Sequence, residues 1–117
     1  MPDSLEKAKY CLKILNEKKP IKPVLLKIGH LTSLTDYFII MSGSSVRQAQ
    51  SLAKHIERKM KKEGYFAYGV EGGKEGQWVL LDYGDVIIHI FYEPIREYYD
   101  LEGLWVDAPR LTTPEIS

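Results

Sequence analysis

Trp78-Val79-Leu80-Leu81-Asp82-Tyr83-Gly84-Asp85-Val86-Ile87-Ile88-His89-Ile90-Phe91 holds two β-branched and aromatic runs on either side of Tyr83-Gly84. That is the pattern of a β-hairpin. Pairing Asp82 with Asp85 across that turn sets Leu81 opposite Val86, Leu80 opposite Ile87, Val79 opposite Ile88 and Trp78 opposite His89. One face then carries Val79, Leu81, Val86, Ile88, Ile90 and Tyr92, aliphatic enough to lie beneath a helix. The other carries Trp78, Leu80, Asp82, Asp85, Ile87, His89 and Phe91. Large aromatics mixed with polar groups are the composition of an interface. A covering helix with Trp78 and His89 satisfied in the core is the competing reading. A one-residue slip in the turn would exchange the two sets.

Upstream, Tyr37-Phe38-Ile39-Ile40-Met41 reads as a central strand buried on both faces. Ser42-Gly43-Ser44-Ser45 ends it. Ser45 and Gln48 form a capping box, and Val46, Ala49, Leu52, Ala53, Ile56 and Met60 make an apolar stripe opposite Arg47, Lys54, Arg58, Lys61 and Lys62. Gly64 ends this helix, and Tyr65 to Val70 is expected to return as a strand. Toward the N-terminus, Val24–Ile28 is a strand after Pro20 and Pro23. Asp3 and Glu6 cap a first helix, over residues 4–18, with Leu5, Ala8, Leu12 and Leu15 on one face. Toward the C-terminus, Pro94 admits a short helix to about Tyr99. The order α-β-β-α-β-β-β-α predicts an α/β (α+β) domain over residues 1–106, with a mixed sheet flanked by helices. Residues 107–117 are expected to be a loosely ordered tail.

The chain has 117 residues, 44% of them hydrophobic and 27% charged, which suits one globular domain. Sixteen basic and sixteen acidic side chains cancel, so no overall field draws the chain to nucleic acid or an anionic membrane. The charge is nevertheless split: residues 1–63 hold 13 basic and 6 acidic side chains, and residues 64–117 hold 3 and 10. Cys11 stands alone, which leaves no intramolecular disulfide and suits a reducing compartment. No apolar run approaches a membrane span and no signal peptide is apparent, so a cytoplasmic protein without a membrane partner is expected.

Catalytic signals are incomplete. The Ser-Gly-Ser-Ser turn before a capped helix invites a phosphate, yet a Walker loop would need Gly-Lys-Ser/Thr where Ser45-Val46-Arg47 stands. A nucleotidyltransferase would need paired carboxylates to hold its metals, and the close pair, Asp82 and Asp85, is taken by the hairpin turn. The Gly69–Gly76 stretch runs into a strand and reads as a mobile loop. His30, His55 and His89 show no metal-ligand spacing and read as helix-surface, loop or strand-face residues, so no metal and no cofactor are expected. The basic helix face reads first as a solvated surface and second as a minor RNA contact; no aromatic stacking motif accompanies it in the sequence.

Several motifs occur in order: Asp36-Tyr37-Phe38-Ile39-Ile40, Ser42-Gly43-Ser44-Ser45-Val46-Arg47-Gln48, Val70-Glu71-Gly72, the hairpin quoted above, and Arg96-Glu97-Tyr98-Tyr99-Asp100-Leu101-Glu102-Gly103-Leu104-Trp105. Together they closely resemble the ribosomal silencing factor, or Iojap, family over nearly the whole chain. The resemblance implies a nucleotidyltransferase-like fold without the catalytic carboxylates and without enzymatic activity. It further implies binding to large-ribosomal-subunit protein L14 (uL14), which blocks joining of the small subunit and represses translation under nutrient limitation. A role in large-subunit biogenesis is a close relative of that binding event. By the same resemblance, Trp78 and Leu80 match the strand used near the partner, and Tyr98-Tyr99 a C-terminal motif. The expected contact has Trp78, Leu80, Ile87, His89 and Phe91 at its apolar centre and Asp82, Asp85, Glu93, Arg96 and Tyr99 at its polar rim. An exposed Trp-centred face also favours a weak homodimer of the free protein. The alternatives are a small nucleotidyltransferase-like enzyme or nucleotide binder, and a direct RNA binder.

Overall fold

The structure is a computed structural model that describes residues 4–111. Its elements are α1 (Ser4–Asn16), β1 (Ile21–Lys27), β2 (Tyr37–Gly43), α2 (Val46–Lys62), β3 (Gly69–Glu71), β4 (Trp78–Asp82), β5 (Val86–Tyr92), α3 (Glu93–Tyr99), α4 (Leu101–Leu104) and β6 (Arg110–Leu111). The six strands form one mixed sheet in the order β3-β4-β5-β2-β1-β6. β2 and β5 pair in parallel and the other neighbours are antiparallel. The chain is thus an α+β domain with a mixed sheet flanked by helices.

β2 lies between β5 and β1, and all seven of its residues are buried, as the apolar run Tyr37 to Met41 predicts for its first five. The two sheet faces differ. Under α1 and α2 lies the larger core, which joins Leu12, Leu15, Leu52 and Ile56 to Ile39, Met41, Val79, Leu81, Ile88 and Ile90. The opposite face carries a smaller cluster of Leu26, Ile28, Phe38, Ile40, Phe91 and Ala108, onto which Ile95, Leu101 and Trp105 of the C-terminal segment pack. Among the described residues no helix is long and apolar enough to cross a membrane.

α2 has the ends its sequence predicts. Ser45 Oγ accepts the Gln48 N–H at 3.0 Å, and Gly64 takes a φ of 86° directly after the C-cap residue Glu63. The Gln48 side chain bonds to Ser44 instead of reaching back to Ser45. The Asp3 cap proposed for α1 falls outside the described residues, and α1 ends at Asn16, two residues short of the expected boundary.

Three expectations are corrected. The hairpin register is Trp78 with Phe91, Leu80 with His89 and Asp82 with Ile87. Its central turn residues are Gly84 and Asp85, because the Tyr83 N–H bonds to the Val86 carbonyl and Gly84 takes the positive φ. Moving the turn by one residue moves every partner by two, so the strand residues keep their faces instead of exchanging them as expected, and only Asp85, now a turn residue, leaves its set for Lys7 of α1. The strand after α2 is only Gly69–Glu71, because Tyr65 and Ala67 pack into the larger core first. The segment expected to be loose past residue 106 is held as far as it is described: Ala108 is buried, Lys27 N–H bonds to the Pro109 carbonyl, and Arg110–Leu111 pairs with β1.

Candidate protein-docking face

On the smaller-core side of the sheet, Trp78 of β4 lies half-buried across Phe91, with ring centroids 4.9 Å apart. Tyr99, at the end of α3, closes over it at 5.0 Å and remains 52% exposed. Below, His89 and Phe91 are buried, and Phe38 meets both His89 and Trp105 edge to face. The sequence-based centre therefore separates into two layers. His89 and Phe91 form a floor, while Trp78, Leu80 and Ile87 stay partly open above it.

Trp78 Nε1–H donates to His89 Nδ1 at 3.1 Å. An accepting Nδ1 places the ring proton of neutral His89 on Nε2, which has no partner among the described residues. Burial lowers the His89 pKa from its usual 6.5 to about 4. The unfolded chain takes up a proton near pH 6.5 and the folded one does not until about pH 4. Stability conferred by keeping this ring neutral is complete above pH 6.5 and is lost as pH falls toward 4. Urea unfolding at pH 7, 6, 5 and 4.5 should show the midpoint dropping in that window, and His89→Gln should flatten the drop. An unchanged slope in His89→Gln would assign the pH dependence to other groups.

The expected polar rim is more structural than its sequence suggests. Asp82 Oδ1 accepts the Gly84 N–H at 2.8 Å and so caps the turn. Asp85 pairs with Lys7 of α1 at 2.8 Å, and the same ammonium donates to the Tyr83 carbonyl. These bonds hold both carboxylates locally and tie the turn to the helical side of the sheet. Arg96 is largely buried and bonds Glu102, Ser42 Oγ and the Ile21 carbonyl. Glu93, in the first turn of α3, is partly open. Sequence reasoning did not select Leu104 and Val106, which are among the most exposed apolar residues, on the segment laid over this face. Two apolar residues in so short a segment, with no room for a helical stripe, were the available signal.

The phosphate-binding alternative finds little support at the start of α2. A Cβ on Gly43 would meet the Ala49 backbone nitrogen at 2.8 Å, so this glycine serves close packing of strand end on helix. The Ser44 and Gln48 N–H groups already bond to side chains. Among the described residues, no group of three or more His, Cys, Asp and Glu side chains is placed to hold a metal ion. His30 is exposed on its loop. His55 departs from the expected helix surface: it is buried, with Nε2 2.9 Å from Glu17 Oε1, because the end of α1 reaches over α2. The hydrogen bond from His55 lowers the Glu17 pKa.

The fold is thus a mixed sheet with two helices on one face and a half-covered aromatic patch on the other. The sequence matches the family model "Ribosomal silencing factor during starvation" across residues 1–117, and the chain belongs to that family. It is 38% identical over 100 residues to the ribosomal silencing factor of Chromobacterium violaceum, covering 86% of this chain and 82% of that one. The Halalkalibacterium halodurans factor is 36% identical over 95 residues, 81% of each chain. A crystal structure of a Chromobacterium violaceum protein superposes with a TM-score of 0.86 at 36% identity, over 89% of this chain and 87% of that chain. The family is one of ribosome regulation and not of known enzymes.

Proposed function

We propose that this protein acts in the cytoplasm by seating its Trp78 face on uL14 of the large ribosomal subunit, where its bulk blocks the small subunit. Translation is thereby repressed under nutrient limitation, with no catalysis and no cofactor. The observation that carries the reading is the half-open Trp78 ring, fixed between buried Phe91 and exposed Tyr99. Rigid aromatic anchors in partly enclosed sites are the side chains that dominate binding energy at protein interfaces. Glu93, Glu97 and Asp100, on α3 and at its C-terminal end, belong to the acidic half of the chain and would complement a basic ribosomal surface. Leu80 and Ile87 extend the apolar centre. Weak self-association of the free protein through the same face belongs to this reading.

Sucrose-gradient sedimentation of purified subunits tests it. The protein should travel with the large subunit and reduce the fraction of joined ribosomes. Failure to travel with either subunit, or travel with the large subunit while joining proceeds undiminished, would overturn the proposal.

A further inference from the structure

The outer face of α2 lies across the sheet from Trp78. Arg47, Lys54, Arg58 and Lys61 follow one another at helical spacings of seven, four and three, a stripe about 21 Å long at 1.5 Å per residue. Arg47, Lys54 and Arg58 line a cleft of about 380 Å³ together with Lys18, two residues past the end of α1. Lys54 and Arg58 also line a second cleft of about 500 Å³, together with Lys61. Among the described residues none of these five cations has a carboxylate within ion-pair distance, including Glu57, the carboxylate that lines the second cleft. Lys61 suits the C-terminal end of the helix dipole and Arg58 lies 3.4 Å from His55 Nδ1, but no carboxylate neutralises the run, so its charge is open to a polyanion.

The second cleft adds what the sequence conceals. Its far wall holds Tyr65 and Phe66, and Phe66 is 64% exposed. The expected strand after α2 would have carried this ring away; the chain instead folds back, with Tyr65 N–H bonded to the Met60 carbonyl, and sets Phe66 beside the stripe. Cations that track a backbone next to an open aromatic face are the two parts of a single-strand nucleic-acid groove. We propose that the α2 stripe and Phe66 form a docking groove for an unpaired RNA strand, its phosphates on Arg47, Lys54, Arg58 and Lys61 and one base stacked on Phe66. An acidic peptide would use the charges and leave the ring idle. The proposal does not rest on the Trp78 reading, because the two surfaces occupy opposite sides of the sheet.

The test is fluorescence anisotropy of a labelled twelve-nucleotide oligouridylate with the full chain, over a salt series. Binding at low salt should weaken with a log–log slope of about −2 to −3, as three or four phosphate contacts require at about −0.7 each. The triple variant Arg47→Ala/Lys54→Ala/Arg58→Ala, all at exposed helix positions, should lose at least tenfold in affinity and most of the slope. Phe66→Ala should lose about 5- to 150-fold with the slope retained. Trp78→Ala should bind the oligonucleotide as the parent does. Absence of binding at low salt, or undiminished binding by the triple variant or by Phe66→Ala, would overturn the proposal. So would equal affinity for a duplex of the same length, or equally effective displacement by polyglutamate.

Discussion

Trp78→Ala is expected to lower affinity for the large subunit by about 100-fold, in line with roughly 2–4 kcal/mol for a central aromatic anchor. The ring is laid on Phe91, covered at one edge by Tyr99 and oriented by its hydrogen bond to His89. The ring is thus held in one pose, so a partner that docks on it would lose little ordering entropy. Truncation removes the contact area and also leaves His89 Nδ1 without a donor in a buried site, so some loss of fold stability accompanies it. Trp78→Phe helps separate the two effects: it leaves His89 Nδ1 as bare as Trp78→Ala does but keeps a smaller ring over Phe91. Its affinity should lie between those of Trp78→Ala and the parent. Quantitative sedimentation with purified large subunits measures both variants, and full affinity in Trp78→Ala would place the docking surface elsewhere.

The parts of this arrangement that were legible in the sequence are those governed by strict periodicity. Alternation in β4 and β5 assigned each side chain to its face even though the turn was placed one residue early, because face depends on parity and the error in pairing was even. α2 was legible from its cap, its stripe and its glycine. What the sequence withheld were meetings between residues distant along the chain. Nothing local shows that Glu17 reaches His55, that Lys7 claims Asp85, or that Phe66 folds back beside the cations of α2. Exposure was equally hidden: His89 and Phe91 share a face with Trp78, yet α3, α4 and Trp105 bury the floor and leave the upper layer open. A single period of two reports which way a side chain points and not how much chain is stacked above it.

Arg96→Met is expected to cost about 3 kcal/mol of fold stability, the order found when one partner of a buried ion pair is removed, and to lower Tm by roughly 10–20 °C. Sequence reasoning placed Arg96 on the docking rim, but its side chain is only 11% exposed. Its Nε–H donates to Glu102 Oε1 at 2.8 Å, and its terminal nitrogen donates to Ser42 Oγ at 3.1 Å and to the Ile21 carbonyl at 3.3 Å. One guanidinium thereby fastens α3 and α4 to the ends of β1 and β2. Methionine preserves the apolar stem and deletes the donors, so the loss reports the bonds and not a cavity. Burial alone would raise the Glu102 pKa, but the hydrogen bonds and charges of Arg96 and Arg110 outweigh it and hold the carboxyl below its usual 4.5. That contribution is present above the unfolded value and is lost as pH falls through the folded one, so the parent should lose stability on the acid side of pH 4.5 more steeply than Arg96→Met. Because Tyr99 and Trp105 are carried on the segment this latch secures, large-subunit affinity should fall as well, by less than in Trp78→Ala. Thermal melts at pH 7 and pH 4 check the stability claim, and a variant that melts with the parent at pH 7 would show that packing of Ile95, Leu101 and Trp105 alone seats the segment.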